Sequence, residues 1–117
     1  MLNDLDVSKY PHVYLRVGNT DLRKGIDGLA ALITSEFRLD PYDGSLFLFC
    51  GRRTDRLKAI CYEDDGFVLL YKRLARGHFR WPRNKDDMQD ITKEQYEALM
   101  KGWEITPAIK AFRPTAV

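Results

Sequence analysis

The sequence is poor in the residues that build metal sites and disulfides. It contains two cysteines, Cys50 and Cys61, and two histidines, and the cysteines do not form a CxxC motif. Because a zinc site needs several such ligands at close spacing, neither a metal nor another cofactor is expected. In the hairpin predicted below the two sulfurs lie about 13 Å apart, which is too far for a disulfide. Two buried, reduced thiols are the expected state.

The sequence also lacks a long apolar run. No stretch of about 18 consecutive apolar residues occurs, and the first ten residues, MLNDLDVSKY, alternate acidic and apolar side chains. This pattern fits neither a membrane span nor a signal peptide, so we expect a cytoplasmic location and no membrane partner. The 117 residues suffice for one core. We predict an N-terminal extension (1–12), a single domain (13–104) and a loosely held tail (105–117).

Recognisable catalytic motifs are missing as well. Neither His12 nor His78 has a neighbouring nucleophile, and the phosphate-binding order GxxxxGK[ST] does not occur. The 17 acidic residues show no spacing that would gather carboxylates around two metal ions. We therefore predict that the chain is not an enzyme, and a metal-dependent nuclease is the weakest of the alternatives.

Positive charge is abundant, but it is concentrated in one block. Residues 50–85 carry ten cations and four acids, whereas the net charge of the whole chain is only +2. The block also contains five aromatic residues, Tyr62, Phe67, Tyr71, Phe79 and Trp81. Because cations hold phosphates and flat rings can stack on bases, this composition predicts a polyanion-binding surface.

The candidate phosphate contacts fall into two groups. The main group is Arg52, Arg53, Arg56, Lys58, Lys72, Arg73, Arg76 and Arg80. Its first three members lie on the tip of a predicted hairpin, where guanidinium groups can reach phosphates. Arg23 and Lys24 form a secondary anchor in the first turn of a predicted helix, where free N–H groups add an anion site. Two simpler interpretations stay open: a merely solvated hairpin tip, and neutralisation of Arg23 and Lys24 by Asp21 and Asp27.

The hydrophobic pattern predicts five short strands. They are His12–Val17, Ser45–Cys50, Leu57–Tyr62, Phe67–Tyr71 and His78–Trp81. The middle three form an antiparallel meander whose second turn uses the conformational freedom of Gly66, and a basic helical turn is predicted at Lys72–Gly77. Both faces of the meander are apolar, so each must be covered. Phe47, Phe49 and Tyr71 are interpreted as core residues and not as base-stacking rings.

Two helices complete the predicted fold. The early helix has the apolar stripe Leu22, Ile26, Leu29, Ile33 and Phe37, and it contains Gly25 and Gly28, which indicate a close contact. The C-terminal helix has a capping box of Thr92 and Gln95, the stripe Tyr96, Leu99, Met100 and Trp103, and a stop at Gly102. The predicted class is a small α+β domain: an antiparallel meander of four to five strands with one early and one C-terminal helix.

Two sequence blocks resemble a bacterial protein family. DLRKGIDGLAALI (Asp21–Ile33) and LFLFCGRRTDRLKAICYEDDGFVLLYKRLARGHFRWP (Leu46–Pro82) are similar to TnpB, the accessory protein encoded by the second open reading frame of insertion-sequence family sixty-six. The resemblance spans roughly Val13–Trp103. The family is distinct from the RNA-guided nuclease that is also called TnpB, which is far longer and carries a zinc ribbon and an acidic triad.

The resemblance implies a protein that is needed beside a separate transposase, which does the cutting and joining. The leading hypothesis is a non-catalytic accessory factor for transposition that binds DNA, at the element ends, through the basic block and assists the transposase. The alternative is a protein-interaction module that docks the transposase or another element-encoded partner without touching DNA. The sequence leaves open whether the ligand is DNA, RNA or protein, and whether the chain is a homo-oligomer.

Overall fold

The computed structural model describes residues 1–105, which form a five-stranded sheet with two α-helices. The elements are a 3₁₀ turn (Val7–Lys9), β1 (Val13–Val17), α1 (Ile26–Ser35), β2 (Leu46–Cys50), β3 (Arg56–Tyr62), β4 (Phe67–Arg73), β5 (Asp87–Asp90) and α2 (Lys93–Met100). The predicted α+β class, with one early and one C-terminal helix, is confirmed. Neither helix of the described part is long and apolar enough to cross a membrane. Residues 106–117, most of the predicted tail, lie outside the described residues.

The sheet is mixed, with the strand order β4-β3-β2-β1-β5. Strands β2, β3 and β4 form the predicted antiparallel meander, in which Phe49 lies opposite Lys58 and Lys58 lies opposite Tyr71. Strand β1 pairs with β2 in parallel, whereas an antiparallel sheet was predicted. Helix α1 explains the difference, because a helical crossover returns the chain to the end from which it started. Strand β5 pairs antiparallel with β1 and forms the other edge.

Each face of the sheet carries its own apolar cluster, as predicted. On the α2 face, Leu46, Leu48 and Cys50 of β2 pack with residues of β1, β3 and α2. On the α1 face, Phe47 and Phe49 of the same strand pack with residues of α1 and β3. All five residues of β2 are buried. The chain's own helices and N-terminal segment therefore cover the two faces, and the apolar sheet gives no reason to expect a partner there.

Helix α1 begins one turn later than its apolar stripe predicts. Its N-cap is Gly25, so Leu22 precedes the helix, and Phe37 follows its end, although both side chains still pack on the α1-face cluster. Gly28 lies inside the helix. A Cβ atom at Gly28 would lie 3.1 Å from the Cβ of Lys24, whereas a Cβ atom at Gly25 would have nothing within 4 Å. The close contact predicted for both glycines is therefore found only at Gly28, where it is made by a side chain of the preceding turn.

Helix α2 agrees with the prediction at its start and differs at its end. The Thr92 hydroxyl accepts from the Gln95 N–H at 3.0 Å, and Gln95 Oε1 accepts from the Thr92 N–H at 2.9 Å, which completes the capping box. Gly102 has φ 81° and ends the helix in the left-handed conformation. Trp103 was placed in the apolar stripe, but it lies beyond the helix and is 60% exposed.

The connection between β4 and β5 differs most from the prediction. The stretch Lys72–Gly77 is not a helical turn, because β4 continues into it and a bend follows. The stretch His78–Trp81 is not a strand; the fifth strand comes later in the chain. Phe79 and Trp81 are nevertheless buried, and the indole N–H of Trp81 donates to the carbonyl of Arg16 at 2.8 Å. Phe79 and Trp81 therefore anchor an extended connection to the core, and they do not belong to a strand.

The β3–β4 turn uses an aspartate where a glycine was predicted to adopt positive φ. Asp64 has φ 56°, and Gly66 is not among the glycines with positive φ. Aspartate tolerates the left-handed region better than most residues because its short side chain can hydrogen-bond locally.

Candidate nucleic-acid interface

A groove of about 630 Å³ lies between the loop that follows β1 and the loop that joins β2 to β3. Its charged and aromatic lining residues are Asp21, Arg23, Arg52, Arg53, Arg56 and Tyr71. We call it the basic groove. It brings together four of the ten residues that the sequence nominated as phosphate contacts, from positions that are far apart in the chain.

Backbone contacts hold the two loops together. The Thr20 N–H donates to the carbonyl of Cys50 at 2.9 Å, directly before the hairpin loop. At Gly51 a Cβ atom would come within 3.3 Å of the Leu22 side chain. A side chain at this position would press on Leu22, so glycine permits the close approach of the two loops.

The connection after β4 fixes the far end of the hairpin loop. The Leu74 N–H donates to the carbonyl of Asp55 at 2.6 Å, and the Phe79 N–H donates to the carbonyl of Thr54 at 2.7 Å. Phe79 is 2% exposed, which anchors the connection in the core. The arginines of the loop therefore project from backbone that is held at both ends.

Arg83 links the two walls of the basic groove. Its Nη2 donates to the carbonyl of Gly51 at 2.6 Å, and its Nη1 donates to Oδ1 of Asn19. The sequence counted Arg83 in the basic block but assigned it no role, because nothing local identifies a partner 32 residues away. Arg83 is a structural cation of the groove.

Arg16 is a second internal cation that sequence reasoning missed. It is 8% exposed, and its Nη2 donates to Oδ1 of Asp86 at 2.6 Å, while its Nη1 donates to Oγ1 of Thr20 at 3.2 Å. Its guanidinium also lies 5.5 Å from the centre of the Phe37 ring. The sequence assigned Arg16 no role, because its ion-pair partner Asp86 lies 70 residues away and no local pattern indicates its burial.

Two of the four groove arginines are paired with carboxylates. Arg23 Nη2 lies 2.8 Å from Oδ2 of Asp21, and the hydrogen bonds from Arg23 lower the pKa of Asp21 to about 2. Arg56 Nε lies 2.9 Å from Oδ1 of Asp55, and the hydrogen bond from Arg56 lowers the pKa of Asp55. At neutral pH each pair is thus electrically neutral. For Arg23 this geometry supports the neutralisation that the sequence left open, and Arg23 also precedes α1, outside its first turn.

Arg52 and Arg53 are the two groove arginines without such partners. Both are exposed, and neither side chain forms a hydrogen bond or an ion pair with any residue from 1 to 105. They supply uncompensated positive charge to the basic groove, and they stand next to each other on the anchored loop.

One aromatic ring accompanies this charge at the surface. Tyr71 was interpreted as core, but it is 54% exposed, whereas Phe47 and Phe49 are fully buried, as expected. Lys58 Nζ lies 5.7 Å from the centre of the Tyr71 ring and donates to the carbonyl of Lys24 at 2.9 Å. Tyr71 is therefore the one ring of these three that a base can reach.

Two predicted contacts are drawn away from the groove. Lys72 follows Tyr71 in β4, so its side chain lies on the opposite face of the sheet, where Nζ donates to Oδ1 of Asn3 at 2.5 Å. Arg80 Nη2 lies 3.9 Å from Oε1 of Glu104.

The other predicted contacts lie around the groove without lining it. Arg73 is opposite Arg56 in the β3–β4 register, and Arg76 is exposed in the bend after β4. The stem of Lys24 packs over Gly28.

Nucleophilic chemistry has little support among the described residues. Cys50 and Cys61 are free and buried, as expected, and burial raises the pKa of Cys50 to about 11 and raises that of Cys61. Both thiols are protonated at neutral pH, which makes them poor nucleophiles. No cluster of three or more His, Cys, Asp or Glu side chains able to hold a metal occurs in residues 1–105. The groove is equipped to bind anions by charge and hydrogen bonds.

The fold and the groove define a small α+β protein with a guanidinium-lined surface. The chain belongs to the family described as IS66 Orf2 like protein, TnpB of IS66, whose model matches residues 11–110. Membership confirms the resemblance seen in the blocks Asp21–Ile33 and Leu46–Pro82. It implies an accessory role associated with transposition of IS66-type insertion sequences.

Two proteins of Sinorhizobium fredii strain NGR234 are similar over nearly the whole domain. "Uncharacterized protein y4hO" is 36% identical over 105 residues, which cover 90% of this chain and 91% of the relative. "Uncharacterized protein y4jC" is 36% identical over 99 residues, which cover 83% of this chain and 85% of the relative. No solved structure matches the chain significantly.

Proposed function

We propose that the chain is a non-catalytic transposition accessory protein that binds DNA at the element ends through the basic groove and assists the separate transposase. One observation carries this proposal: Arg52 and Arg53 present two exposed guanidinium groups, unpaired within residues 1–105, from a loop whose backbone is anchored at both ends. An anchored loop loses little entropy when it binds, so more of the contact energy appears as affinity.

The chemistry of arginine suits a phosphate backbone. A guanidinium presents a planar fork of donors that matches phosphate oxygens in a bidentate way and stays charged at all relevant pH values. The Arg23–Asp21 pair is exposed, and exposed ion pairs contribute little, so a phosphate can replace the carboxylate of Asp21 as the partner of Arg23. Arg56 is more firmly held, since its side chain and that of Asp55 are each 25% exposed.

Tyr71 adds a contact of a different kind. Its exposed ring lies at the groove beside the Lys58 ammonium group, and aromatic rings stack on unpaired bases with little sequence preference. A duplex end or a distorted terminal repeat offers such a base, whereas continuous duplex does not. Preference for element ends is therefore part of the proposal.

The alternative is a module that docks the transposase without DNA. The sequence feature that favours it is the doubly apolar sheet, since another subunit could cover one of the two faces. In the structure both faces are covered from within the chain. The basic groove can still meet an acidic protein surface, so the experiment below includes that outcome.

The test is equilibrium binding to a fluorescent duplex that carries the terminal repeat of the element and to a scrambled duplex. The variant is Arg52→Ala/Arg53→Ala/Arg56→Ala. The matched control is Lys9→Ala/Lys93→Ala/Lys101→Ala, which removes the same charge from the 3₁₀ turn and the region of α2, on the opposite side of the sheet.

We expect the groove variant to lose about 100-fold in affinity, at roughly 1 kcal/mol for each lost contact, and the control to lose far less. Equal losses in both variants would mean that only net charge matters, and the groove would not be the site. Absence of binding by the wild type at low salt, with capture of the purified transposase, would replace the proposal with the docking alternative.

A further inference from the structure

The strand β4 forms an open edge of the sheet. It pairs with β3 on one side and has no strand of the described residues on the other. Two hydrogen bonds at the ends of the β3–β4 ladder show which residues of β4 form hydrogen-bonded pairs with β3. The Glu63 N–H donates to the carbonyl of Gly66 at 2.8 Å, and the Leu74 N–H donates to the carbonyl of Asp55 at 2.6 Å. Because hydrogen-bonded and non-hydrogen-bonded pairs alternate in an antiparallel ladder, the odd-numbered residues of β4 direct both backbone groups away from β3.

These outward residues are Phe67, Leu69, Tyr71 and Arg73. None of their backbone groups bonds to another residue of the described part of the chain outside the β3–β4 ladder. Their side chains lie on the α1 face, and Phe67 and Leu69 are only partly buried there. An edge of seven residues with aromatic and aliphatic side chains is a template for a further strand.

The opposite edge is protected in the ways that natural sheets use. Strand β5 has only four residues, and its first and last residues, Asp87 and Asp90, are exposed. Short length and acidic side chains discourage pairing with another strand. Among residues 1–105, the β5 edge is thus protected and the β4 edge keeps unpaired backbone groups.

Charge indicates what fits the open edge. The acidic turn Glu63–Asp65 precedes β4, and the cations Lys72 and Arg73 end it. When two copies of this strand pair antiparallel, the acidic turn of each copy lies beside the basic end of the other. The strand is therefore complementary to itself in charge as well as in backbone hydrogen bonds.

We propose that the chain forms a homodimer through antiparallel pairing of β4 with β4 of a second copy, with Leu69 of the two copies on the two-fold axis. In this register Phe67 lies opposite Tyr71 of the second copy, and Asp65, in the turn just before β4, lies beside Arg73 of the second copy. A shift of two residues in either direction removes the Asp65–Arg73 opposition. The result is a continuous sheet of ten strands, twice the five strands formed by residues 1–105.

The geometry of the pairing has a consequence for the basic groove. The two-fold axis of an antiparallel strand pair within one sheet is perpendicular to that sheet, so both α1 faces point the same way. Tyr71, which lines the groove, lies on this face. The dimer therefore presents two basic grooves on one side. Its existence does not depend on DNA binding, and it is tested without DNA.

The experiment is sedimentation equilibrium across a concentration series, with circular dichroism to confirm folding. The wild type is expected to approach twice the 13.6 kDa mass of one chain. Arg73→Asp and Asp65→Arg each place like charges opposite one another at two symmetric positions, and each should weaken dimerisation at least about tenfold. Lys85→Asp makes the same charge change beside β5 at the other edge, and it should leave the dimer intact.

The decisive experiment combines the two charge changes, either in one chain or in a mixture of the two single variants. The double variant Asp65→Arg/Arg73→Asp restores opposite charges and should dimerise as the wild type does. An equimolar mixture of the two single variants should form a heterodimer. In it the carboxylate introduced by Arg73→Asp faces the guanidinium introduced by Asp65→Arg, and the unchanged Asp65 of one chain faces the unchanged Arg73 of the other. Dimers that respond equally to Arg73→Asp and Lys85→Asp would overturn the proposal, and so would a wild type that stays monomeric up to millimolar concentration.

Discussion

The internal arginines and the groove arginines of this protein carry the same charge and differ in what that charge does. Arg83 donates to the carbonyl of Gly51, and Arg16 is nearly enclosed among Thr20, Asp86 and the Phe37 ring. Arg52 and Arg53 stand on the surface with no such partners among residues 1–105. The comparison teaches that a block of positive charge in a sequence mixes cations that build a surface with cations that the surface presents.

The largest effect on stability is expected from Arg16→Ala. The truncation leaves the buried hydroxyl of Thr20 without its donor and removes the packing against Phe37. We expect a loss of about 2 to 3 kcal/mol in the free energy of unfolding, measured by urea denaturation. Arg16→Lys keeps the charge but loses the planar fork, so only part of the loss should be recovered. A change below about 0.5 kcal/mol would contradict the structural role assigned to Arg16.

Arg83→Ala should have an intermediate and mixed effect. It removes the hydrogen bonds from Arg83 to Gly51 and Asn19, which join the two walls of the groove, while the core stays intact. We expect about 1 kcal/mol lower stability and about tenfold weaker DNA binding. Faster hydrogen exchange of the Thr20 amide, which donates to the carbonyl of Cys50, would show that the loop has loosened. Weaker binding without loosening would instead make Arg83 a direct DNA contact.

Arg80→Ala should have the smallest effect. Arg80 was a sequence candidate for DNA contact, but it lies near Glu104 and does not line the groove. The pair is exposed, so its loss should change stability by less than about 0.5 kcal/mol. DNA affinity should fall by no more than the loss of any one surface charge produces. A loss as large as that of the groove variant would extend the interface to the connection after β4.

Local sequence patterns predicted the parts of the fold that local physics determines. The short apolar runs of β2, β3 and β4, separated by turn residues, predicted the meander, and pairing them symmetrically about the two turns assigned the residues of both faces. The capping box of Thr92 and Gln95 located α2, because its bonds join residues three apart. The parallel pairing of β1 depends on a crossover, and the path of the connection after β4 depends on buried anchors such as Trp81. Neither is visible in a local pattern.

The candidate site was harder to predict for the same reason. The charge of the block identified Arg52, Arg53 and Arg56, and a local motif placed Arg23 near Asp21. No local pattern could show that the loops of β1 and β2 meet, since their contacts join residues some 30 positions apart, such as Thr20 and Cys50. Charge density alone therefore nominates more residues than line the groove: four of the ten candidates do so.

The salt dependence of DNA affinity tests the central claim most directly. The logarithm of the binding constant is measured against the logarithm of salt concentration for the wild type and for Arg52→Ala/Arg53→Ala/Arg56→Ala. Loss of the two unpaired arginines, Arg52 and Arg53, should reduce the slope by about 1.8, at roughly 0.9 for each phosphate contact. Arg56 adds a further reduction of about 0.9 only where it exchanges Asp55 for a phosphate. If the variant binds more weakly but keeps the slope of the wild type, the groove arginines do not contact phosphates and the account is contradicted.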